Sequence, residues 1–393
     1  MQATIDHTLF SLINNKPTSS IQEIMSSPEL FPYLEMNGVA GVLFYYLQKG
    51  GLEQLAPPDV YKSLHELFNF QIRRNMECMA GAKTVFQLLI TAGIPFLVLK
   101  GIALAEHIYP HFAMRTTSDL DILIHRDDLL HADLALTSAG YQAQDSTPRQ
   151  ALLNPPGYLA SLEYHKPGLT FAYVHLHWHL VNTSTPAIAF IDKIDMERVW
   201  KKSFYAKVAA AEVRLLCPEH LIIYLCEHAL RVGHSFDRLI LVCDIFYAVK
   251  TFEDRLDWDD LVAEAKKLGL LNFVYLGLKI VKFYVGQEFL SNDILRKFTP
   301  PSLSLPERLF LYFHEKHYRM RGSSYLVYLA LSKGPFERGR LIMHTLFPPR
   351  IILAQRFRYK LQAHGITLYF QRIREITSHL DKMFKLVLRM IYP

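Results

Sequence analysis

Apolar residues recur with helical spacing over the first 93 residues of the chain. Within the segment 59–91 they fall three and four positions apart, which is the spacing of one face of an α-helix. The members of this stripe are Leu64, Leu67, Phe68, Ile72, Phe86, Leu89 and Ile90. Gly93 stands where such a helix would end. We therefore expect residues 1–93 to be helical and to pack on the back of a following sheet.

Between residues 96 and 124 the helical spacing gives way to unbroken apolar runs. The runs 96–99 and 122–124 are of the kind that buried strands supply. Ile102–His107 fits a short helix between them, and Pro110 prevents its continuation. This part of the chain predicts two strands joined by one helix.

After the second strand the spacing predicts a helix over 126–139 and a short strand over 141–144. The segment 145–157 is rich in Pro, Asn, Gln and Ser, which is typical of a loop. Because loops carry much of the specificity of enzymes, this loop is a reasonable place for residues that select a substrate.

Two further strands are predicted at 159–166 and 169–180, joined by the turn dipeptide Pro167-Gly168. In the second of them apolar residues alternate with histidines. The apolar residues are Val174, Leu176, Trp178 and Leu180, and the histidines are His175, His177 and His179. One face of this strand should therefore belong to the core, while the other presents three imidazoles.

From Pro218 onward the spacing is helical again almost to the end of the chain. We expect an α+β fold in which a mixed sheet is flanked by helices. Its expected parts are an N-terminal helical region (1–93), an α/β domain (94–216) and a C-terminal helical domain (217–393).

Composition indicates an ordinary globular protein, because 50% of the 393 residues are hydrophobic and 20% are charged. The four cysteines form no Cys-x-x-Cys pair, so we expect reduced and buried thiols. No basic residue precedes Lys16, and no apolar run approaches the ~18 residues of a membrane span. These features favour a cytoplasmic protein.

Positive charge is concentrated at the C-terminal end. Residues 305–393 hold 16 Lys or Arg and 5 Asp or Glu, whereas the whole chain has a net charge of only +6. Nucleic acid, an anionic membrane surface or an acidic partner would each fit this basic tail, as would a solvated face with internal ion pairs. The last predicted helix has an apolar stripe from Ile373 to Ile391, for which core packing is favoured over peripheral membrane contact.

The strongest chemical signal lies within the first pair of strands. Asp119 and Asp121 are two apart, so on a strand they project from one face. Two neighbouring carboxylates repel each other unless a cation lies between them, and magnesium prefers such ligands together with substrate phosphates. Lys100 and Gly101 precede the short helix, where helix amides and a glycine favour phosphate binding. Two solvated strand carboxylates are the alternative interpretation.

This combination of residues resembles the nucleotidyltransferase superfamily that includes DNA polymerase beta. Its particular form is similar to a largely uncharacterised bacterial branch of that superfamily. The matching residues are Val98-Leu99-Lys100-Gly101, Leu104-Ala105, Tyr109-Pro110, Arg115 and Ser118-Asp119-Leu120-Asp121-Ile122-Leu123.

The resemblance implies a metal site at Asp119 and Asp121, with Mg2+ or Mn2+ as the cofactor and an NTP such as ATP as the substrate. Gly101 and the amides after it would hold the triphosphate, and Lys100 would neutralise its β or γ oxygens. Ser118 would satisfy local or outer bonds of the site.

The third acidic ligand of the family aligns with His175, which is a departure from the family pattern. An imidazole can bind a metal or accept a proton, but it favours softer ions than magnesium. Glu163 on the neighbouring strand is a candidate replacement for the missing carboxylate. A zinc site on the His-x-His face is the alternative, although the sequence identifies no further ligand for it.

Arg115 lies close enough in sequence to reach a phosphate, or else it pairs with Asp119 or a neighbouring carboxylate. In the helical domain, His228, Arg238 and Asp244 also resemble family positions that face the nucleotide. A buried ion pair between Arg238 and Asp244 is an equally good interpretation.

The sequence thus predicts metal-dependent transfer of a nucleotidyl group from an NTP to a hydroxyl or phosphate of an unidentified acceptor. Transfer of the γ-phosphoryl group by the same site is a close alternative. A nucleotide-binding or scaffold protein with weakened catalysis is the rival from another class, and an RNA-modifying polymerase is a second rival.

Overall fold

The computed structural model describes most of the chain. The described residues are 1–143, 152–153, 161–168, 173–181, 194–231, 233–320, 322–332, 334–350, 353 and 365–391. The predicted specificity loop at 145–157 and the first residues of the strand predicted at 169–180 lie largely outside them.

Seven strands form one mixed sheet in the order β3-β4-β5-β2-β1-β7-β6. The strands are β1 (Phe96–Val98), β2 (Leu120–Ile124), β3 (Gln142–Ala143), β4 (Ser161–His165), β5 (Tyr173–His177), β6 (Phe204–Val208) and β7 (Ala211–Leu215). β2 lies at the centre, antiparallel to β1 and parallel to β5. The mixed sheet that the apolar runs predict is therefore present, and the predicted turn at Gly168 has a φ of +83°.

The hairpin of β6 and β7 is absent from the sequence predictions. Its turn is formed by Ala209 and Ala210, with φ angles of +49° and +60°. Tight hairpin turns need positive φ at both central residues and usually contain Asn or Gly there. Because two alanines occupy the turn, the chain gives no local sign that it reverses.

The helices pack against both faces of the sheet. They are α1 (Gln2–Ile13), α2 (Ile21–Met25), α3 (Leu30–Asn37), α4 (Ala40–Lys49), α5 (Pro58–Thr91), α6 (Ile102–His107), α7 (Leu129–Ser138), α8 (Met196–Lys202), α9 (Pro218–Leu230), α10 (Leu239–Phe252), α11 (Trp258–Lys267), α12 (Leu271–Val285), α13 (Asn292–Phe298), α14 (Leu305–Glu315), α15 (Tyr325–Leu331), α16 (Gly334–Leu346) and α17 (Gly365–Ile391). No helix in the described part of the chain combines the length and the apolar character that a membrane crossing requires.

The two faces of the sheet contact different cores. Val98 and Ile122 pack with the second half of α5 and with α7. Leu97 and Leu123, on the opposite face, pack in the core that α9 and α10 share with α1–α4. The prediction that the N-terminal helices pack on the back of the sheet is therefore correct for the end of α5. It is wrong for α1–α4, whose buried side chains join the C-terminal helices instead.

The last helix, α17, packs through a narrow face. Arg372 is buried there and donates hydrogen bonds to the Thr345 carbonyl at 2.9 Å and to the Tyr325 hydroxyl at 3.0 Å. Ile373 and Phe384 are 45% and 63% exposed, so the prediction that their stripe packs in the core is wrong at these positions. The reason is that the covered face of α17 holds Leu368 and Arg372, whereas Ile373 and Phe384 lie on another face of the helix.

Candidate functional site

Asp119 and Asp121 converge on one cation. The Lys100 ammonium lies 2.5 Å from Asp121 Oδ2 and 3.6 Å from Asp119 Oδ2. Asp121 is 1% exposed because β2 is the central strand, whereas Asp119 precedes the strand and is partly exposed. Ser118 donates a hydrogen bond to Asp119 Oδ1 at 3.0 Å. The two carboxylates thus share a single positive charge, with Asp119 on the solvent side.

Gly101 permits the tight passage between β1 and α6. Its φ of +69° is in the region that favours glycine, and a Cβ there would lie 3.0 Å from the carbonyl oxygen of Asp119. A larger residue would push the turn away from the start of β2. The glycine thus keeps Lys100 beside both aspartates.

Two imidazoles face the same carboxylates from β5. The parallel pairing of β2 and β5 places His175 opposite Asp121, and His177 follows on the same face. His177 Nε2 donates to Asp121 Oδ1 at 3.0 Å. His175 Nδ1 lies 3.7 Å from both Asp119 Oδ2 and Asp121 Oδ1. On the other side of its ring, His175 Nε2 lies 3.4 Å from Glu163 Oε1 on β4.

The protonation of the buried groups follows from this arrangement. Burial by itself would raise the pKa of Asp121, but the Lys100 ammonium and the two imidazoles outweigh it and hold that pKa well below its usual range. Burial would likewise lower the pKa of Lys100, yet the two aspartates raise it above its usual value. The pair is therefore fully charged at neutral pH.

The two imidazoles differ from each other. Burial would lower the pKa of His175, but hydrogen bonds and the charges of the neighbouring carboxylates raise it to about 10. Burial dominates at His177 and lowers its pKa despite the bond to Asp121. His177 is therefore neutral and available as a ligand at neutral pH.

Three side chains are close enough to share one metal ion. Within the part of the chain that the structure describes, single ligand atoms of Asp121, His175 and His177 all lie within 4.8 Å of one another. Asp119, which the sequence also places in the metal site, adds an oxygen 3.7 Å from His175 Nδ1. The donor set suits a divalent ion that accepts nitrogen, and it fits Mg2+ poorly because magnesium prefers oxygen ligands.

Sequence reasoning considered His177 as a ligand only in the alternative zinc site and could not name a further ligand there. The spacing of His177 from His175 is visible in the sequence, since both project from one face of a strand. The third ligand is not visible, because only the pairing of β2 with β5 brings Asp121 to the two imidazoles.

Arg115 is occupied elsewhere. Its guanidinium donates through Nε to Asp244 Oδ1 at 2.7 Å and through the terminal nitrogen to Oδ2 at 2.9 Å. Tyr109 donates to the same carboxylate at 2.7 Å. The predicted ion pair between Arg238 and Asp244 is therefore wrong: Arg238 is exposed and lies near Gly38.

Helix α9 borders the site from the helical core. Burial raises the pKa of Tyr224 and lowers that of His228, and the charges of Lys100 and Asp121 act on both residues. The His228 ring lies between Tyr224 and His234, with centroid distances of 5.9 and 4.4 Å. His228 is thus close to the Lys100–Asp121 pair, but it is enclosed by other rings.

Comparison with known proteins adds one finding. The profile of a protein family described as "uncharacterised nucleotidyltransferase" matches residues 26–286, which include the whole sheet and helices α3–α12. No protein of curated function matches the chain.

Proposed function

The chain belongs to this family of uncharacterised nucleotidyltransferases, and on that premise we propose that it transfers a nucleotidyl group from an NTP to an acceptor. The acceptor atom would be a hydroxyl or phosphate oxygen. The observation that carries the proposal is the convergence of Asp119 and Asp121 on the Lys100 ammonium. Carboxylates around one cation are the arrangement that a metal-bound triphosphate requires.

Asp121, with Asp119 and His175 beside it, would hold a divalent cation. When bound, such a cation neutralises charge on the phosphate oxygens and aligns the attacking and leaving groups. Asp119 is the more exposed carboxylate, so it would meet the substrate first. Ser118 would orient it through the hydrogen bond to Oδ1.

Lys100 and Gly101 would serve the phosphates. The Lys100 ammonium already carries its charge between two carboxylates, and a point charge of this kind stabilises β or γ oxygens. The amides that follow Gly101 would add hydrogen bonds to the same oxygens. Gly101 suits this position because a Cβ there would lie 3.0 Å from the carbonyl oxygen of Asp119.

Arg115 and Asp244 bind each other and would stabilise the fold beside the site without contacting the substrate. Asn75 on α5 donates hydrogen bonds to the carbonyls of Phe112 and Arg115. The Asn75 side-chain oxygen also accepts hydrogen bonds from the amide and hydroxyl of Thr117. The segment that leads into Asp119 is therefore held at both its side chains and its backbone. Arg238, which is exposed, would make at most a peripheral contribution.

Two alternatives concern the same site. Transfer of the γ-phosphoryl group would need the same cation and the same Lys100. Nucleotide binding with weakened catalysis is favoured by one observation, namely that His175 stands where the resemblance expects a third carboxylate.

Labelled substrates separate these possibilities. The protein would be incubated with NTPs labelled at the α- or the γ-phosphate, divalent cations and a small-molecule cell extract as the source of acceptors. We expect α-label in an acceptor and its loss in Asp121→Asn, with Asp127→Asn on the exposed turn after β2 as the control. Transfer of γ-label alone would indicate a phosphotransferase, and nucleotide binding without transfer would indicate a scaffold.

For a further partner we propose an anionic membrane surface, which α17 would contact. Large apolar side chains on one stripe of α17 are exposed, and they are Ile366, Phe370, Ile373 and Phe384. The segment around them carries the excess of basic residues at 305–393. An exposed apolar stripe flanked by basic residues is typical of helices that lie on anionic membranes.

Co-sedimentation with vesicles tests this contact. We expect binding to vesicles that contain phosphatidylserine, weaker binding to pure phosphatidylcholine, and loss of binding in Phe370→Ser combined with Phe384→Ser. Met36→Ser, at an exposed apolar position on α3, is the matched control. Binding of RNA with a steep salt dependence, and none to vesicles, would assign the basic surface to nucleic acid instead.

A further inference from the structure

We propose that Asp121, His175 and His177 form a zinc-type site that selects Zn2+ over Mg2+, with Glu163 as the residue that positions His175. The inference rests on the proposed function for the view that this cluster takes a cation. It goes beyond that function by stating which class of ion binds and through which atoms.

The types of ligand atom in this cluster are the first support for the proposal. Two imidazole nitrogens and one carboxylate oxygen lie within 4.8 Å of one another. Catalytic zinc sites commonly use two histidines and one carboxylate, and they leave a further position for water or substrate. Mg2+ instead needs oxygen ligands in octahedral geometry and retains several waters. Nitrogen ligands therefore favour zinc strongly over magnesium here.

The two oxygens of Asp121 have separate partners. Oδ2 faces the Lys100 ammonium at 2.5 Å, whereas Oδ1 faces the imidazoles, at 3.0 Å from His177 and 3.7 Å from His175. A metal ion between Oδ1 and the two rings would replace the hydrogen bond from His177. It would leave the ion pair with Lys100 in place, so the ammonium does not compete for the same oxygen.

Glu163 gives His175 a defined orientation. It contacts Nε2, which is the ring nitrogen on the side away from the two aspartates. When a metal ion displaces the proton of Nδ1, a carboxylate at Nε2 keeps the other proton there, so that the Nδ1 lone pair faces the metal position. Glu163 thus supports His175 as a ligand and does not supply the missing carboxylate of a magnesium site.

The position also has an open side. Asp119 and His175 have side chains that are 26% and 25% exposed, whereas that of Asp121 is 2% exposed. An ion at this position would therefore be reached from the edge where Asp119 lies. A substrate oxygen can approach from the same edge.

Metal titration of the tag-free, chelator-treated full chain tests the proposal. Co2+ is the spectroscopic probe, because its visible absorption is intense in four- or five-coordinate sites and weak in octahedral ones. We expect one intense Co2+ spectrum that Zn2+ abolishes, and Zn2+ binding more than about 100-fold tighter than Mg2+ binding. Glu163→Gln should weaken Zn2+ binding about 10- to 100-fold. His177→Ala should weaken it further.

His179→Ala is the matched control, since His179 lies on the same chain segment but bonds to the backbone of Val181. It should bind Co2+ and Zn2+ like the wild type. Folding of each variant is checked by circular dichroism, and a ligand variant that unfolds is replaced by His177→Gln.

Several results would overturn the proposal. These are tighter binding of Mg2+ than of Zn2+, unchanged Co2+ binding in His177→Ala and His177→Gln, and a thiolate charge-transfer band that places the ion on a cysteine. The titration measures metal binding and does not depend on enzymatic activity. A Zn2+ site without nucleotidyl transfer would remove the proposed function alone, and transfer with Mg2+ without a Co2+ or Zn2+ site would remove this inference alone.

Discussion

Two clusters of buried charge in this chain are built in opposite ways. In the Arg115–Asp244 cluster, two nitrogens of one guanidinium meet both oxygens of one carboxylate, and Tyr109 completes the shell. In the Lys100 cluster, one ammonium serves both Asp119 and Asp121, and imidazoles approach the same carboxylates. We call the first cluster closed, because both carboxylate oxygens hold short hydrogen bonds. We call the second open, because Lys100 and His175 approach Asp119 Oδ2 only to 3.6 and 3.7 Å.

The difference separates structural from functional charge. A bidentate buried pair leaves no atom for a ligand, and breaking it is costly because one charge remains buried alone. A cluster with several carboxylates around one cation gains stability when a second cation arrives. Sequence position does not distinguish the two cases, since Arg115 and Asp119 are only four residues apart.

The largest expected effect is on stability, at the closed cluster. Asp244→Ala should lower the free energy of unfolding by about 3–5 kcal/mol, because the buried Arg115 guanidinium loses its partner. The double variant Arg115→Leu with Asp244→Leu should recover most of this loss, since no buried charge is left. Urea unfolding measures both, with exposed Asp127→Ala as the control. Equal stability of Asp244→Ala and wild type would contradict the closed character of the pair.

The next effect is on activity, at the open cluster. Asp119→Asn should reduce transfer of α-label about 100-fold, since a charge that faces the substrate is lost. Its free energy of unfolding should change by less than about 1 kcal/mol, because the side chain is partly exposed and its removal relieves repulsion with Asp121. Transfer of α-label and urea unfolding measure the two effects. A large loss of stability with full activity would reverse the roles of the two clusters.

A second closed cluster predicts an acid-sensitive stability. The hydrogen bonds that Arg198 donates are the largest cause of the lowered pKa of Glu264. They outweigh the effect of burial, which would raise this pKa, and contacts with His220 and Lys202 lower it further. The pKa of Glu264 in the folded protein lies below its ordinary value of 4.5. Ionised Glu264 therefore stabilises the folded state above about pH 4.5, and this stabilisation is lost as the pH falls below that value. Glu264→Gln should therefore lose less stability than wild type between about pH 7 and pH 3.5.

Urea midpoints at the two pH values provide the measurement for Glu264. Glu253→Gln, an exposed glutamate at the end of α10, is the control and should follow the wild type. Parallel acid profiles of wild type and Glu264→Gln would rule out this cluster as a source of acid sensitivity.

The smallest effect belongs to Arg238, which has an exposed side chain outside both clusters. Arg238→Ala should change the free energy of unfolding by no more than about 0.5 kcal/mol and transfer by roughly twofold at most. A steady-state assay with labelled NTP checks this. A loss as large as that of Asp119→Asn would return Arg238 to the nucleotide site.

The sequence predicted the parts of this molecule that local patterns encode. Unbroken apolar runs predicted β1 and β2, and alternation of Val174 and Leu176 with histidines predicted β5. The hairpin of β6 and β7 was missed because alanines adopt the turn conformation that normally reveals such a hairpin.

The partners of the charged residues depend on long-range pairing, which a single sequence does not encode. Asp244 lies 129 positions from Arg115, and six from Arg238, so proximity in sequence pointed to the wrong pair. His177 gained its place near Asp121 only through the parallel pairing of β2 and β5. The exposed stripe of α17 likewise has the spacing of a core stripe, and only the burial of Leu368 and Arg372 shows which face is covered.

The most direct test of the central claim is transfer of α-label in Asp121→Asn and in the double variant Arg115→Leu with Asp244→Leu. We predict that Asp121→Asn stays folded and loses transfer, and that the folded double variant keeps most of it. Transfer that persists in Asp121→Asn would contradict the assignment of nucleotidyl transfer to the Lys100 cluster.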